Sequence, residues 1–173
     1  MFSASAAALA ALAQPALAQD TASADGEATI VPDGQLTKLQ DLDFGRIVPT
    51  GAGGVVTIDA ATGTIASVGN ITLVSPSAHR AFFRSRVPVD TVMVFSLDAS
   101  VTLTRVSGTE TMTATLTYAP VAGLTPELLF GLPIGQKANA TEQLVAVGGA
   151  LTVSGTQEPG LYSGTFNLSV AYP

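Results

Sequence analysis

Three sets of side chains in this sequence have the types and spacing to do chemistry. His79 is the single histidine, so a Ser/His/Asp hydrolase would have to be built around it. No G-x-S-x-G elbow accompanies it, and its neighbours Arg80 and Arg84 mark it as a solvent-facing strand residue. Asp41 and Asp43 in "DLDFG" stand two apart, which on a strand puts both carboxylates on one face. Such a pair suits a cation or acid–base work, but calcium takes about six to eight oxygens, and no acidic loop of that density is present. The plainer reading is two solvent-facing charges flanking a buried Leu42, with Phe44 opening the core. The third set is "RAFFRSRV". Arg80, Phe82, Arg84 and Arg86 share one parity; Ala81, Phe83, Ser85 and Val87 share the other. A strand here has a core face and a basic ridge. The ridge is either a solvated face with local ion pairs or a contact for an acidic partner, where paired charges add little affinity but steer register. The chain has no cysteine, which removes thiol catalysis, zinc thiolates and disulfides. No set amounts to a catalytic, metal or cofactor site, and the chain reads as non-enzymatic.

The elements that carry these residues are strands. "GGVVTIDAATGTIASVG" is a strand, a turn over "DAATG" and a second strand, with Gly63 expected at positive φ. "NITLV", "RAFFRSRV", "TVMVFSL", "SVTLTRV" and "ETMTATLTY" follow, rich in the Val, Thr, Ile and Phe that suit a pleated, half-buried surface. "LTPELLFG" is the one place for a helical turn, after Pro126. "EQLVAVGGALTVSG" reads as two short strands across a Gly-Gly bend. The last strand, "GLYSGTFNLSVAYP", alternates most cleanly: Tyr162, Gly164, Phe166, Leu168, Val170 and Tyr172 line one face. Many short strands without intervening helices predict an all-β antiparallel sandwich or barrel.

Residues 1–18 read as a secretory signal peptide, rich in Ala and Leu with a small-x-small cleavage pattern at Ala16–Ala18. Residues 19–34 are small, polar and acidic and read as a flexible arm; residues 35–173 form the single sandwich domain. No integral membrane segment is expected after cleavage. Charged residues are 12% of the chain and the net charge is −6, which argues against nucleic acid, whose partners carry a basic face, and against charge-driven docking on anionic lipid.

The tail resembles the C-terminal strand of chaperone–usher pilus subunits, with Tyr172 penultimate and Gly160 fourteenth from the end. The body is similar to a family of secreted bacterial β-proteins, a domain of unknown function related to spore coat protein U and to archaic chaperone–usher pilins. The resemblance is carried in order by "LDFGRI", "GGVVTIDAATG", "TMTATLT", "VGGALTV" and "GLYSGTFNLSVAY". It implies an immunoglobulin-like sandwich that is incomplete and completed by a donated strand. It also implies that Gly160, Tyr162, Gly164, Phe166, Leu168, Val170 and Tyr172 form the strand at the groove's rim that a chaperone contacts. Strand addition at a sheet edge would fill the groove. About five apolar side chains at ~1.5–3 kcal/mol each give on the order of 10 kcal/mol before ordering costs, comparable to a domain's whole stability.

Within the arm, Ala22, Ala24, Gly26, Ala28 and Ile30 share one parity and are the candidate donor strand; the alternative is that the arm folds back as the protein's own first strand. The expected function is a structural, exported subunit of a pilus-like fibre. It would pass through the periplasm to the cell surface. Its partners would be neighbouring copies or related subunits, a periplasmic chaperone and an outer-membrane usher. The rival is a self-contained secreted adhesive or ligand-binding module using Arg80, Arg84 and Arg86.

Overall fold

The computed structural model describes residues 34–74 and 77–173. The candidate signal peptide, and the donor positions Ala22, Ala24, Gly26, Ala28 and Ile30, lie outside the described residues. The strands, in chain order, are β1 (Gln35–Gln40), β2 (Ile47–Ile58), β3 (Ile65–Leu73), β4 (Ala81–Arg86), β5 (Val92–Leu97) and β6 (Ser100–Arg105). They continue with β7 (Thr111–Ala122), β8 (Leu124–Leu129), β9 (Leu132–Ala138), β10 (Gln143–Ser154), β11 (Tyr162–Ser163) and β12 (Leu168–Ala171). The paired strands are antiparallel, and the described residues contain no helix. The architecture is the all-β sandwich that the strand-rich sequence predicts.

The larger sheet runs β1-β4-β10-β7-β6-β11, with β2 joined to β10 and carrying β3; the smaller runs β12-β5-β9-β8. The long strand β10 organises the first. One edge of it pairs β4 along Gln143–Val147 and then β2 along Gly149–Ser154; the other edge pairs β7 along Leu144–Leu151. The handover falls at Gly148. A Cβ there would collide with the Ile58 carbonyl oxygen and come within 2.7 Å of the Ala60 nitrogen; a Cβ on Gly149 would collide with the Thr115 carbonyl. The Gly-Gly pair is therefore not a bend between two strands, as the sequence suggested. It lies inside one continuous strand, where the missing side chains let neighbouring backbones approach.

Alternation decides what is buried. On β4, Ala81, Ser85 and the adjoining Val87 are buried while Arg86 is exposed. Under the larger sheet, Phe44, Val56, Ile58, Val101, Leu151 and Val153 belong to one cluster. A second, of Val87, Met93, Phe95, Ala138 and Val145, lies toward the smaller sheet, and Leu168 packs on both. The segment after Pro126 corrects another expectation. It is strand, not a helical turn, because β8 and β9 pair as a hairpin whose two central residues, Phe130 and Gly131, have φ of 52° and 82°. That sign at both positions is the tight turn whose twist matches two strands. "NITLV" is likewise no separate strand but the end of β3. His79 is half-buried rather than solvent-facing: it exchanges backbone hydrogen bonds with Asp43, at 3.0 and 2.8 Å, and its Nδ1 is buried without a partner among the described residues.

The "DAATG" turn forms as read. Asp59 Oδ1 accepts from the Thr62 backbone N–H at 2.7 Å and its hydroxyl at 2.8 Å, and Gly63 sits at φ 76°. The Thr62 backbone hydrogen bond, with its hydroxyl, lowers the Asp59 pKa. Glu110 is lowered chiefly by its hydrogen bond from Arg105, at 2.6 Å. A carboxylate with a folded pKa below its unfolded value stabilises the fold above the unfolded value, about 4. That contribution is lost as pH falls through the folded value. Melting temperature should therefore drop as pH falls below about 4, and Asp59→Asn should flatten the drop while lowering the plateau. A pH-resolved series of thermal melts reads both, and an unchanged slope in the variant would remove Asp59 from the account.

Candidate functional site

The two ends of the described chain meet along one side of the sandwich without pairing. Among the described residues β1 bonds only to β4, β11 only to β6 and β12 only to β5. The C-terminal segment carries two short strands, β11 and β12, on either side of a corner. The chain β5, Asp98, Ala99, β6 passes from the smaller sheet to the larger, and the C-terminal segment runs antiparallel beside it. At the corner it leaves β6 and is caught by Asp98. The Asp98 carboxylate accepts from the Asn167 backbone N–H at 2.7 Å and side-chain amide at 3.1 Å. The strand expected to run unbroken is thus split into β11 and β12, because its partner changes sheet. Gly164 makes the crossing fit: a Cβ there would collide with the Thr102 carbonyl and lie 3.1 Å from Leu103.

Facing this strand across a gap are β1 and residues 41–49. Between them lies a cavity of ≈ 890 Å³. One wall carries Leu42, Phe44 and Ile47; the opposite wall carries Gly160, Tyr162, Gly164 and Phe166. Val101, Leu103, Met112, Leu151 and Val153 also line it. A smaller cavity of ≈ 160 Å³ continues between Lys38 and Gln40 of β1 and Gly164–Phe166. Phe166 lines both and packs edge-on against Phe83, with ring centroids 6.2 Å apart.

The ends of this seam are held by polar contacts. The Tyr162 hydroxyl donates to the Glu158 carbonyl and accepts from the Gln157 amide, both at 2.7 Å. Arg105, bonded to Glu110, also reaches the Pro159 carbonyl at 3.4 Å. On the opposite rim Asp43 accepts from the Gly45 N–H at 2.7 Å, and Asp41 pairs with Lys38 at 2.6 Å. At the far end Tyr172 packs so close to Gly34 that a Cβ on that glycine would overlap its phenol ring. The Tyr172 hydroxyl is buried there with no hydrogen-bond partner among the described residues, an uncommon and costly state for a buried polar group.

The model of a family described as Domain of unknown function (DUF4402) matches residues 34–172. The chain belongs to the DUF4402 family. The match begins just before β1 and ends at Tyr172, so both walls of the seam are part of the DUF4402 domain. No curated protein and no solved structure matches the chain.

Of the expected site residues, the DUF4402 domain brings Gly160, Tyr162, Gly164 and Phe166 onto one cavity wall. Leu168, Val170 and Tyr172 continue along the same strand, packed on the second core cluster. The arginines lie elsewhere, Arg84 and Arg86 on β4 and Arg80 just before it. Arg84 and Arg86 approach Glu142 at 3.9 and 3.0 Å. Arg80 donates to the Ala60 carbonyl at 2.7 Å and to Ala61, with its guanidinium 4.7 Å over the Phe82 ring. Residues 41–49 are the part of the site that sequence reasoning missed. "LDFGRI" was legible as a motif, and Leu42, Phe44 and Ile47 as apolar, but nothing in their order says what they face. No three acidic or histidine side chains cluster as metal ligands among the described residues, and no helix there is long and apolar enough to cross a membrane.

Proposed function

We propose that the domain is a structural, non-enzymatic subunit of an exported fibre, joined to its neighbours by strand addition into this seam. The observation that carries the reading is the seam itself. Core side chains line an open cavity between the C-terminal strand and residues 41–49, and that strand and β1 leave each other's backbone edges unpaired. An extended segment laid there gains main-chain hydrogen bonds from an edge and apolar burial from the cavity at once. The Tyr172 hydroxyl at the end of the seam, without a partner among the described residues, favours an incoming backbone carbonyl. The small residues Ala22, Ala24, Gly26 and Ala28, ending in Ile30, of a neighbouring copy are the proposed donor. A periplasmic chaperone would hold the seam before assembly, an usher would pass the subunit outward, and the fibre would stand on the cell surface. A self-contained ligand module has less support, because Arg80, Arg84 and Arg86 are all engaged within their own chain.

Residues 19–173 and residues 34–173 are to be compared by size-exclusion chromatography and thermal melting. The longer chain should form concentration-dependent oligomers; the shorter should remain monomeric, melt lower and regain stability with a synthetic peptide of residues 20–33. Identical oligomeric state and melting temperature would refute strand exchange through the arm.

A further inference from the structure

The β8–β9 ribbon outruns the sheet that carries it. Among the described residues β9 pairs with β5 only at Gln136 and Lys137, and β8 is the last strand of its sheet. Beyond that point the ribbon is held by its own pairing, Leu128 with Pro133 and Leu129 with Leu132. From Leu128 to Gly135 no residue carries a polar side chain. Phe130 at the apex is 95% exposed, Leu132 69% and Leu128 56%, with Leu129 and Ile134 also exposed. Successive pairs face opposite sides of a ribbon, so this wedge is apolar on both faces. A surface hairpin needs no such composition, because alternation normally leaves one face polar.

The apex is also conformationally expensive. Phe130 holds φ 52°, a region that bulky side chains avoid and that Gly, Asn or Asp fill in such turns. A strained aromatic fixed at the most exposed point is an outlier that folding alone does not explain.

We propose that this tip inserts into the interfacial layer of a lipid bilayer with zwitterionic headgroups. The chemistry selects hydrocarbon. The tip offers apolar area and no side-chain donor or acceptor for a polar partner to recognise. The wedge ends in a polar collar of Glu127, Gln136 and Lys137, the last paired with Asp90 at 3.1 Å. From collar to apex is about 10 Å at ~3.4 Å per residue, the depth of the headgroup–acyl boundary reached by interfacial elements. Deeper entry is opposed by the ribbon's free backbone edges, although Pro126 and Pro133 have no N–H to leave unpaired. No Lys or Arg lies in the tip and the chain's net charge is −6, so anionic lipid has nothing to attract.

The chain has no tryptophan, so Phe130→Trp in the full chain is a single reporter at the apex. With phosphatidylcholine vesicles its emission should shift to the blue and be quenched by lipids brominated in the upper acyl chain. A Val68→Trp reporter on exposed β3 should do neither. Phosphatidylglycerol vesicles should give no stronger response. Leu132→Asp, added to the reporter chain, should weaken the partitioning that its emission reads by about tenfold or more. Phe130→Asn, examined without the reporter, should raise the melting temperature while weakening vesicle flotation. An apex reporter that stays solvent-like with vesicles overturns the proposal. So does a blue shift that needs only higher protein concentration, which would assign the tip to a second copy.

Discussion

Gly148→Val is expected to leave no folded domain at ordinary temperature. The new side chain would start from a Cβ in collision with the Ile58 carbonyl and within 2.7 Å of the Ala60 nitrogen. Both obstacles are backbone, and both belong to the β2–turn–β3 unit that packs on β10. They cannot move aside without breaking the ladder from Gly149 to Ser154 and lifting Val56 and Ile58, both almost fully buried, from the core. A loss of about 4 kcal/mol or more belongs to the exceptional class for single substitutions and consumes much of a typical stability of ~5–15 kcal/mol. Circular dichroism and a thermal melt would read it. Gly131→Asn is the control: nothing lies within 4 Å of its Cβ, and Asn tolerates its φ of 82°. Its effect should stay within about 0.5 kcal/mol. If Gly148→Val melts like the control, β10 does not hand over from β4 to β2 at this residue.

The second large effect is expected at the seam. Phe166 packs on Phe83, on the main core cluster and against both cavities. Removing its ring would join the cavities and strip the wall at the corner where the C-terminal strand changes sheet. Because the side chain is half-buried, Phe166→Ala should cost about 2–3 kcal/mol, below the ~3–5 typical of a fully buried phenylalanine. That corresponds to a fall of roughly 5–10 °C in melting temperature for a domain of this size. If strand addition fills the seam, the same change should reduce oligomer formation by the longer chain more than it lowers the melting temperature of the shorter one. A loss below about 0.5 kcal/mol, the usual range for surface substitutions, would mean that Phe166 is not part of a packed wall.

Much of this was written locally. The parity of "RAFFRSRV" placed Ala81, Ser85 and Val87 inside because a strand turns successive side chains to opposite faces, whatever lies beside it. "DAATG" specified its turn through Asp59 and Gly63 for the same reason: the bonds that define it span only a few residues. The alternation from Tyr162 to Tyr172 likewise identified the face that packs inward. Three features depended on partners far along the chain. Gly148 and Gly149 read as a bend until Ile58 and Thr115 stood beside them. "LTPELLFG" read as a helical turn because its apolar residues have no clean period, and only pairing with β9 makes them strand. The last strand read as continuous, since composition does not record that β5 and β6 belong to different sheets.

The sequence by itself determined the class of fold, the faces of β4 and of the C-terminal segment, and the turn over "DAATG", all of which follow from backbone sterics and side-chain alternation within a few residues. Only the tertiary structure decided that residues 41–49 and 160–166 face each other across a cavity, and that the tip from Leu128 to Ile134 stands clear of its sheet. Both depend on which distant strand supplies the neighbouring backbone and how far that neighbour extends, and local sequence leaves no mark of either.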